Sequence, residues 1–92
     1  MAYKGYSASI TDAGATQIVA SNTDRTKATI KNTGTKTVYL GSDNSVTSSN
    51  GFPLLVNTTL EDTSTVTSWY GRCAVGESST IKAEEQDLVG VN

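Results

Sequence analysis

The sequence predicts an all-β protein, a small antiparallel β-sandwich or partly open barrel of about six to eight short strands. Threonine and serine supply 15 and 11 of the 92 residues, and threonine suits the half-exposed surface of a sheet. Short runs of alternating polar and apolar residues recur along the chain. Glycine, asparagine and aspartate separate these runs at intervals of roughly 8–12 residues, as in sandwiches and barrels.

The clearest strand covers residues 25–31, where lysine and threonine alternate with Ala28 and Ile30. A period of two indicates a strand with one buried face and one solvated face. A turn around Gly34 follows, and residues 37–40 alternate again. We therefore predict that these two strands form a β-hairpin.

Later segments complete a predicted domain of residues 15–84. A polar loop at residues 41–51 precedes the bulky apolar tetrad at residues 52–55, which we expect to plug one end of the core. We predict that residues 65–75 form a strand and that this strand forms a second hairpin with residues 80–83. The side chains expected in the core are Ile30, Val38, Leu40, Phe52, Leu54, Val66, Trp69, Val75 and Ile81.

The two chain ends are predicted to lie outside this domain. Residues 1–14 carry Tyr3, Lys4 and Tyr6 but little that packs into a core, so we expect an N-terminal arm or edge segment. Two tyrosines could anchor such an arm on a partner and offset part of the entropy lost on ordering. Residues 85–92 form a C-terminal tail, acidic at first and then weakly apolar.

The composition argues against catalysis. Histidine is absent and Cys73 is the single cysteine, which removes the usual base for a nucleophile, the disulfide and the zinc site. Cys73 is predicted to be a small buried side chain. The adjacent carboxylates of Glu61 and Asp62, and of Glu84 and Glu85, point to opposite faces of a strand. We therefore expect no enzymatic activity, no cofactor and no metal.

Charge and hydropathy restrict the partners. The net charge of −2 argues against nucleic-acid binding, and no stretch approaches the ~20 apolar residues that span a membrane. The N-terminus lacks a signal-peptide pattern, so we expect synthesis and folding in a cytosol. A domain this small, without a disulfide or metal, usually needs another source of stability. We therefore expect a homo-oligomer.

Aromatic residues are the best candidates for contacts. Trp69 and Tyr70 are adjacent, so we expect one ring in the core and the other outside it. Together with the three N-terminal residues named above, Tyr70 is a candidate contact for another subunit or partner. Exposed Trp69, Tyr70 or Tyr39 would alternatively suit stacking on a sugar, which is possible but not favoured.

Three segments together resemble a family of small virion proteins of tailed phages. Residues 28–41 read A-T-I-K-N-T-G-T-K-T-V-Y-L-G, residues 48–54 read S-S-N-G-F-P-L, and residues 70–75 read Y-G-R-C-A-V. The family has a similar hairpin opening, an Asn-Gly-x-Pro-Leu plug and a late tyrosine-containing strand. The resemblance covers residues 25–84, with a different turn at residues 56–59 where the family often has Pro-Gly-Glu.

The resemblance implies a capsid decoration, or cement, protein. Such a protein binds the outer surface of the phage head and stabilises it by bridging major capsid subunits. The resemblance also implies a homotrimer, the form common among decoration proteins of this size, and a location on the virion. Two alternatives stay open: a virion-displayed carbohydrate-binding module, and a structural connector of the tail or head fibre.

Overall fold

The computed structural model describes residues 2–20, 25–63 and 68–87, with side chains over 5–20, 27–63 and 68–85. Within these ranges the chain is all-β, with eight strands and no helix. The strands form two four-stranded antiparallel sheets. The predicted fold class, a small β-sandwich, is confirmed.

Most neighbouring strands in the two sheets are distant in the chain, and β4 and β5 are the one consecutive pair that is hydrogen-bonded in the described residues. The first sheet has the order β1 (Ala2–Ile10), β8 (Ser79–Asp87), β3 (Arg25–Asn32) and β6 (Thr59–Asp62). The second has the order β2 (Thr16–Val19), β7 (Trp69–Arg72), β4 (Val38–Gly41) and β5 (Phe52–Leu54). The first sheet is the longer, because its strands reach nine residues whereas those of the second reach four.

The core lies between the sheets and follows the period of two. On β4, Val38 and Leu40 are buried, and Tyr39 between them points the other way. On β8, Ile81 and Ala83 are buried beside exposed neighbours. Fully burying a large aliphatic side chain contributes roughly 1.5–3 kcal/mol. The buried cluster consists of Ile10, Ile18, Val19, Ile30, Val38, Leu40, Leu54, Cys73, Ile81 and Ala83.

The predicted core is confirmed in part. Buried as expected are Ile30, Val38, Leu40, Leu54, Ile81 and the thiol of Cys73. Trp69 packs against the cluster while remaining partly exposed. The prediction is wrong for Phe52, which is 55% exposed on the edge strand β5, and for Val75, which is 92% exposed in the turn after β7. Val66 lies outside the described residues.

Both predicted hairpins are wrong. β3 pairs with β6 and β8 in the first sheet, whereas β4 pairs with β5 and β7 in the second. β7 and β8 likewise lie in different sheets. Each connection therefore crosses between the sheets, and residues 33–37 form an arch. The plug at residues 52–55 is also wrong, because Phe52 and Leu55 are exposed and Leu54 alone of the four is buried.

The N-terminal segment is part of the sandwich. β1 pairs with β8 over nine residues, from Ala2 opposite Asp87 to Ile10 opposite Ser79. Ile10 is fully buried, so the expectation that this segment holds little for the core is wrong. β1 is an edge strand of the first sheet, and β8 continues as an interior strand as far as Asp87.

A buried asparagine connects the two sheets at the end of β3. Nδ2 of Asn32 donates hydrogen bonds to the carbonyl oxygens of Lys36 at 2.7 Å and Leu54 at 2.8 Å. Oδ1 of Asn32 accepts hydrogen bonds from the backbone N–H of Gly34 at 3.0 Å and from Oγ of Ser79 at 2.9 Å. These four bonds use the full capacity of the side chain. They link β3 and β8 to β5 of the opposite sheet.

Gly34 allows the arch to pass directly against β8. A Cβ at this position would collide with Oγ of Ser79 and would lie 2.5 Å from the backbone nitrogen of Thr80. Any other residue would therefore displace either the arch or the start of β8. The Asn-x-Gly pattern at residues 32–34 is a junction between sheets, where the sequence predicted a hairpin turn.

Leu40→Ala tests the packing of the core. Leu40 is 2% exposed within the buried cluster, so we expect this change to lower the free energy of unfolding by roughly 2–5 kcal/mol. Val75→Ala is the matched control and should change it by less than about 0.5 kcal/mol, because Val75 is exposed. Urea unfolding measures both. A loss below about 0.5 kcal/mol for Leu40→Ala would contradict the described packing.

Asn32→Ala tests the junction between the sheets. The change removes the side-chain partner of the carbonyl oxygens of Lys36 and Leu54 and of the hydroxyl of Ser79. The N–H of Gly34 keeps its hydrogen bond to the carbonyl of Thr80. Each unsatisfied buried group costs about 1–3 kcal/mol, so we expect a loss of roughly 3 kcal/mol or more in urea unfolding. Asn44→Ala, at an exposed loop position, is the control. A similarly small loss of unfolding free energy for both variants would show that the hydrogen bonds of Asn32 do not stabilise the fold.

Candidate functional site

The four predicted contact residues do not converge on one site. Tyr3 and Lys4 belong to β1 by their backbone, and their side chains lie outside the described part of the structure. Tyr6 is also on β1, at the edge of the first sheet. Tyr70 is on β7, in the second sheet. The structure therefore separates the N-terminal candidates from Tyr70.

Tyr6 combines an exposed ring with a bound hydroxyl. Its hydroxyl donates a hydrogen bond to Oε1 of Glu85 at 2.6 Å. The residue is 37% exposed, whereas Glu85 is 3% exposed. Tyr6 stands opposite the buried Ala83 in the β1–β8 register, on the side of the first sheet that faces the second. The ring therefore offers apolar surface at the sandwich margin while its polar atom is occupied within the chain.

Trp69 and Tyr70 lie on opposite sides of the second sheet, as the sequence predicts. Nε1 of Trp69 donates a hydrogen bond to Oδ2 of Asp62 at 2.8 Å, which links β7 to β6 of the opposite sheet. The position of Gly71 faces the core, since a Cβ there would lie 3.0 Å from side-chain atoms of both Ile18 and Val38. Tyr70, one residue earlier, therefore points away from the core. The expectation of one inner and one outer ring is confirmed.

The outer side of the second sheet carries two tyrosines close together. Tyr39 stands opposite Arg72 on one side and Pro53 on the other, and Tyr70 stands opposite Gln17 on the neighbouring strand. All five residues are partly or largely exposed. We call this surface, formed by Gln17, Tyr39, Pro53, Tyr70 and Arg72, the tyrosine face. Tyrosine and arginine are enriched in protein interfaces, and tyrosine rings also stack on sugars.

The loop of residues 42–51 folds back onto the tyrosine face. Val46 of the loop is 3% exposed, and a Cβ on Gly41 would lie 2.7 Å from its Cβ. A Cβ on Gly51 would lie 2.7 Å from Cβ of Tyr39 and 2.8 Å from Cγ2 of Val46. Two glycines thus make room for the one apolar side chain of the loop. Val46 packs beside Tyr39, outside the main core.

Short-range hydrogen bonds order the rest of this loop. Oδ1 of Asn50 accepts from the backbone N–H of Thr47 at 2.8 Å, and the N–H of Gly51 donates to the carbonyl of Thr47 at 2.9 Å. Oδ1 of Asp43 accepts from both the hydroxyl and the backbone N–H of Ser45. These two bonds, the hydroxyl first, lower the pKa of Asp43. The loop therefore forms a hydrogen-bonded polar rim beside the two tyrosines.

Arg72 anchors the other side of the tyrosine face. Its Nη2 donates a hydrogen bond to the carbonyl of Asp12 at 3.1 Å, and Oδ2 of Asp12 accepts one from the N–H of Gly76 at 2.7 Å. The guanidinium is thus held in place and still partly exposed. The adjacent Cys73 is buried, and burial raises the pKa of its thiol, with the carboxylates of Glu77 and Asp12 adding to the effect.

A second exposed surface lies along the edge strand β5 and the residues after it. Phe52 is 55% exposed, Leu55 56% and Val56 38%. These three exposed apolar side chains lie within five residues of the chain, and we call them the β5 edge cluster. Exposed apolar groups that occur together often mark an interaction site, whereas single ones do not.

The described residues show no group of three His, Cys, Asp or Glu side chains able to hold a metal ion. The same residues contain no helix long and apolar enough to cross a membrane. Comparison of the chain with family models, with curated proteins and with solved structures finds no match.

Sequence reasoning found the individual tyrosines but not the surface that they share. Alternation along β4 and β7 places Tyr39 and Tyr70 away from the core. That they face the same way from neighbouring strands follows only from the β4–β7 pairing. The glycines that admit Val46 were a signal in the sequence, because Gly41 and Gly51 flank the loop and could have marked a close approach of chains.

Gly51→Ala tests how the loop packs on the tyrosine face. The added methyl group would meet three atoms within 2.9 Å, in Tyr39, Val46 and Thr47, so we expect a loss of roughly 1–3 kcal/mol in urea unfolding. Gly14→Ala is the matched control, because a Cβ there meets nothing within 4 Å. Equal stability of the two variants would mean that the loop does not lie against Tyr39.

Proposed function

We propose that this chain is a capsid decoration protein of a tailed phage. It binds the outer surface of the head as a homo-oligomer and stabilises the shell by bridging major capsid subunits. One observation carries the proposal. Two of the segments that resemble the virion family, residues 28–41 and 48–54, meet at Asn32, whose side chain bonds to Gly34 of the first and to Leu54 of the second. The resemblance therefore covers residues that depend on one another physically.

The surfaces described above suit contact with a large protein partner. The β5 edge cluster presents apolar side chains without covering them, and the tyrosine face adds two tyrosines and a fixed arginine. Tyrosine and arginine are among the residues that contribute most of the binding energy in protein interfaces. We assign the β5 edge cluster as the attachment surface, because its exposed apolar area gains the most from removal from water.

The proposed mechanism is mechanical. A stable protein contact buries roughly 800 Å² on each partner, and one chain that contacts two capsid subunits adds such area at their junction. A protein that binds the assembled shell better than the separated subunits stabilises the shell by mass action. No chemical step, cofactor or metal takes part.

A second candidate function is sugar binding on the virion surface. Tyr39 and Tyr70 share one face, with Gln17 and Arg72 as hydrogen-bonding neighbours. Trp69 is a poor platform for stacking, because its ring packs against the core and its N–H is bonded to Asp62. The specific observation in favour of this candidate is therefore the pair of tyrosines alone.

Co-sedimentation with undecorated heads of the phage that encodes the chain tests the first candidate. We expect the full chain to bind, and the double variant Phe52→Ser with Leu55→Ser to bind at least tenfold more weakly, because it removes apolar surface from the β5 edge cluster. Both residues are exposed, so the fold should persist, which circular dichroism checks. Val75→Ser is the control, because it changes an exposed apolar side chain in the turn after β7, outside the β5 edge cluster. This variant should bind as the wild type does.

The same co-sedimentation experiment also tests the tyrosine face. Tyr39→Ala with Tyr70→Ala should leave head binding within a few-fold of the wild type under the first candidate. A sugar array probed with the wild-type chain and this variant tests the second candidate. Sugar binding that the variant loses, together with no binding to heads, would replace the first candidate by the second. No binding in either experiment would reject both.

A further inference from the structure

Three of the four sheet edges carry features that prevent pairing with another strand. β5 has three residues, and its central Pro53 has no N–H to donate. β2 has four residues, and its register with β7 shifts between Gln17 and Val19. β6 also has only four residues. Short length, proline and irregular register are the usual protections of edge strands.

The fourth edge, β1, is not short, contains no proline and keeps a regular register, and Lys4 is its one charged residue. It runs for nine residues in unbroken antiparallel register with β8. Five of its nine residues are small: Ala2, Gly5, Ser7, Ala8 and Ser9. In the part of the chain that the structure describes, no strand pairs with its other side. Alternate backbone N–H and C=O groups along β1 are therefore available to a further strand.

The occupant of this edge has to be an extended strand, because backbone groups in a period of two recognise only another backbone. Within the described chain, the one free edge that matches nine residues is β1 itself, since the other edges offer four or fewer. We propose that β1 pairs antiparallel with β1 of a second copy about a two-fold axis. The first sheets of the two copies then form one continuous eight-stranded sheet.

The sequence of β1 suits this pairing. Full overlap of residues 2–10 places the axis at Tyr6, so Tyr6 stands opposite its own counterpart, and aromatic pairs across strands are favourable. Gly5 stands opposite Ser7 of the second copy, where both side chains are small. Lys4, the one charged residue of β1, stands opposite Ala8 of the second copy. No two like charges therefore face each other across the axis.

This pairing goes beyond the proposed function and does not depend on it. It uses a different surface from the β5 edge cluster, so the same chain can pair and bind a head. Two-fold pairing produces a dimer of 2 × 9.6 = 19.2 kDa, in place of the trimer that the resemblance implies. The mass in solution distinguishes the two.

Sedimentation equilibrium of the full chain, from low micromolar to several hundred micromolar, tests the proposal. We expect a reversible dimer. The double variant Gly5→Lys with Ser7→Lys puts lysines opposite each other at two places across the axis and should weaken dimerisation at least tenfold. Gly5→Glu with Ser7→Glu should do the same. Both positions are exposed, and a Cβ on Gly5 meets no atom within 4 Å, so the monomer should stay folded by circular dichroism.

Mixing the lysine variant with the glutamate variant is the decisive measurement. Each introduced lysine then faces an introduced glutamate, and the mixture should dimerise at least as tightly as the wild type. The control Thr29→Lys with Thr35→Lys adds two charges away from this edge and should dimerise as the wild type does. A wild-type chain that stays monomeric, a trimeric mass, or a dimer that neither charge variant weakens would overturn the proposal.

Discussion

The fold depends on the hydrogen bonds of one buried side chain, Asn32. The consecutive strands β3 and β4 lie in different sheets, so the connection between them turns inward and brings backbone polar groups into the core. Asn32 satisfies four polar groups there, on Gly34, Lys36, Leu54 and Ser79. An amide is suited to this position because it donates twice and accepts twice without carrying a charge. A charged or hydroxyl side chain would leave some of these groups unsatisfied.

The arch at residues 33–37, which Asn32 stabilises, connects two sheets of unequal length. The first sheet receives the long strands β1, β3 and β8, and the second receives strands of three or four residues. A short sheet exposes its edges and the loops beside it, and here the loop of residues 42–51 and the β5 edge cluster lie at its margins. The long sheet instead presents backbone groups along β1. Unequal strand length thus explains why contact surfaces of different kinds occur on the two sheets.

Alternation in the sequence identified the buried side of β3, β4 and β8, because the period of two is a local property that Ile30, Val38 and Ile81 obey wherever their strand is placed. Pairing is not local. The same alternation is compatible with a hairpin or with an arch, and the buried amide of Asn32 decides between them. The prediction for Phe52 was wrong for a related reason, since burial on the edge strand β5 depends on position: Leu54 is buried there, whereas Phe52 is 55% exposed. The candidate surface was likewise only partly predictable, because the facing of Tyr39 and Tyr70 depends on the β4–β7 pairing.

The free edges β5 and β1 differ in the kind of partner that each can bind. β5 has exposed apolar side chains nearby, but Pro53 interrupts its backbone donors, so a partner there gains from side-chain burial and little from strand addition. β1 has a complete backbone edge but mostly small side chains, so a partner there gains from hydrogen bonds in a fixed register. A broad protein surface matches the first kind of edge, and an identical strand matches the second. Because the two edges lie on different sheets, a partner at one edge does not occupy the other.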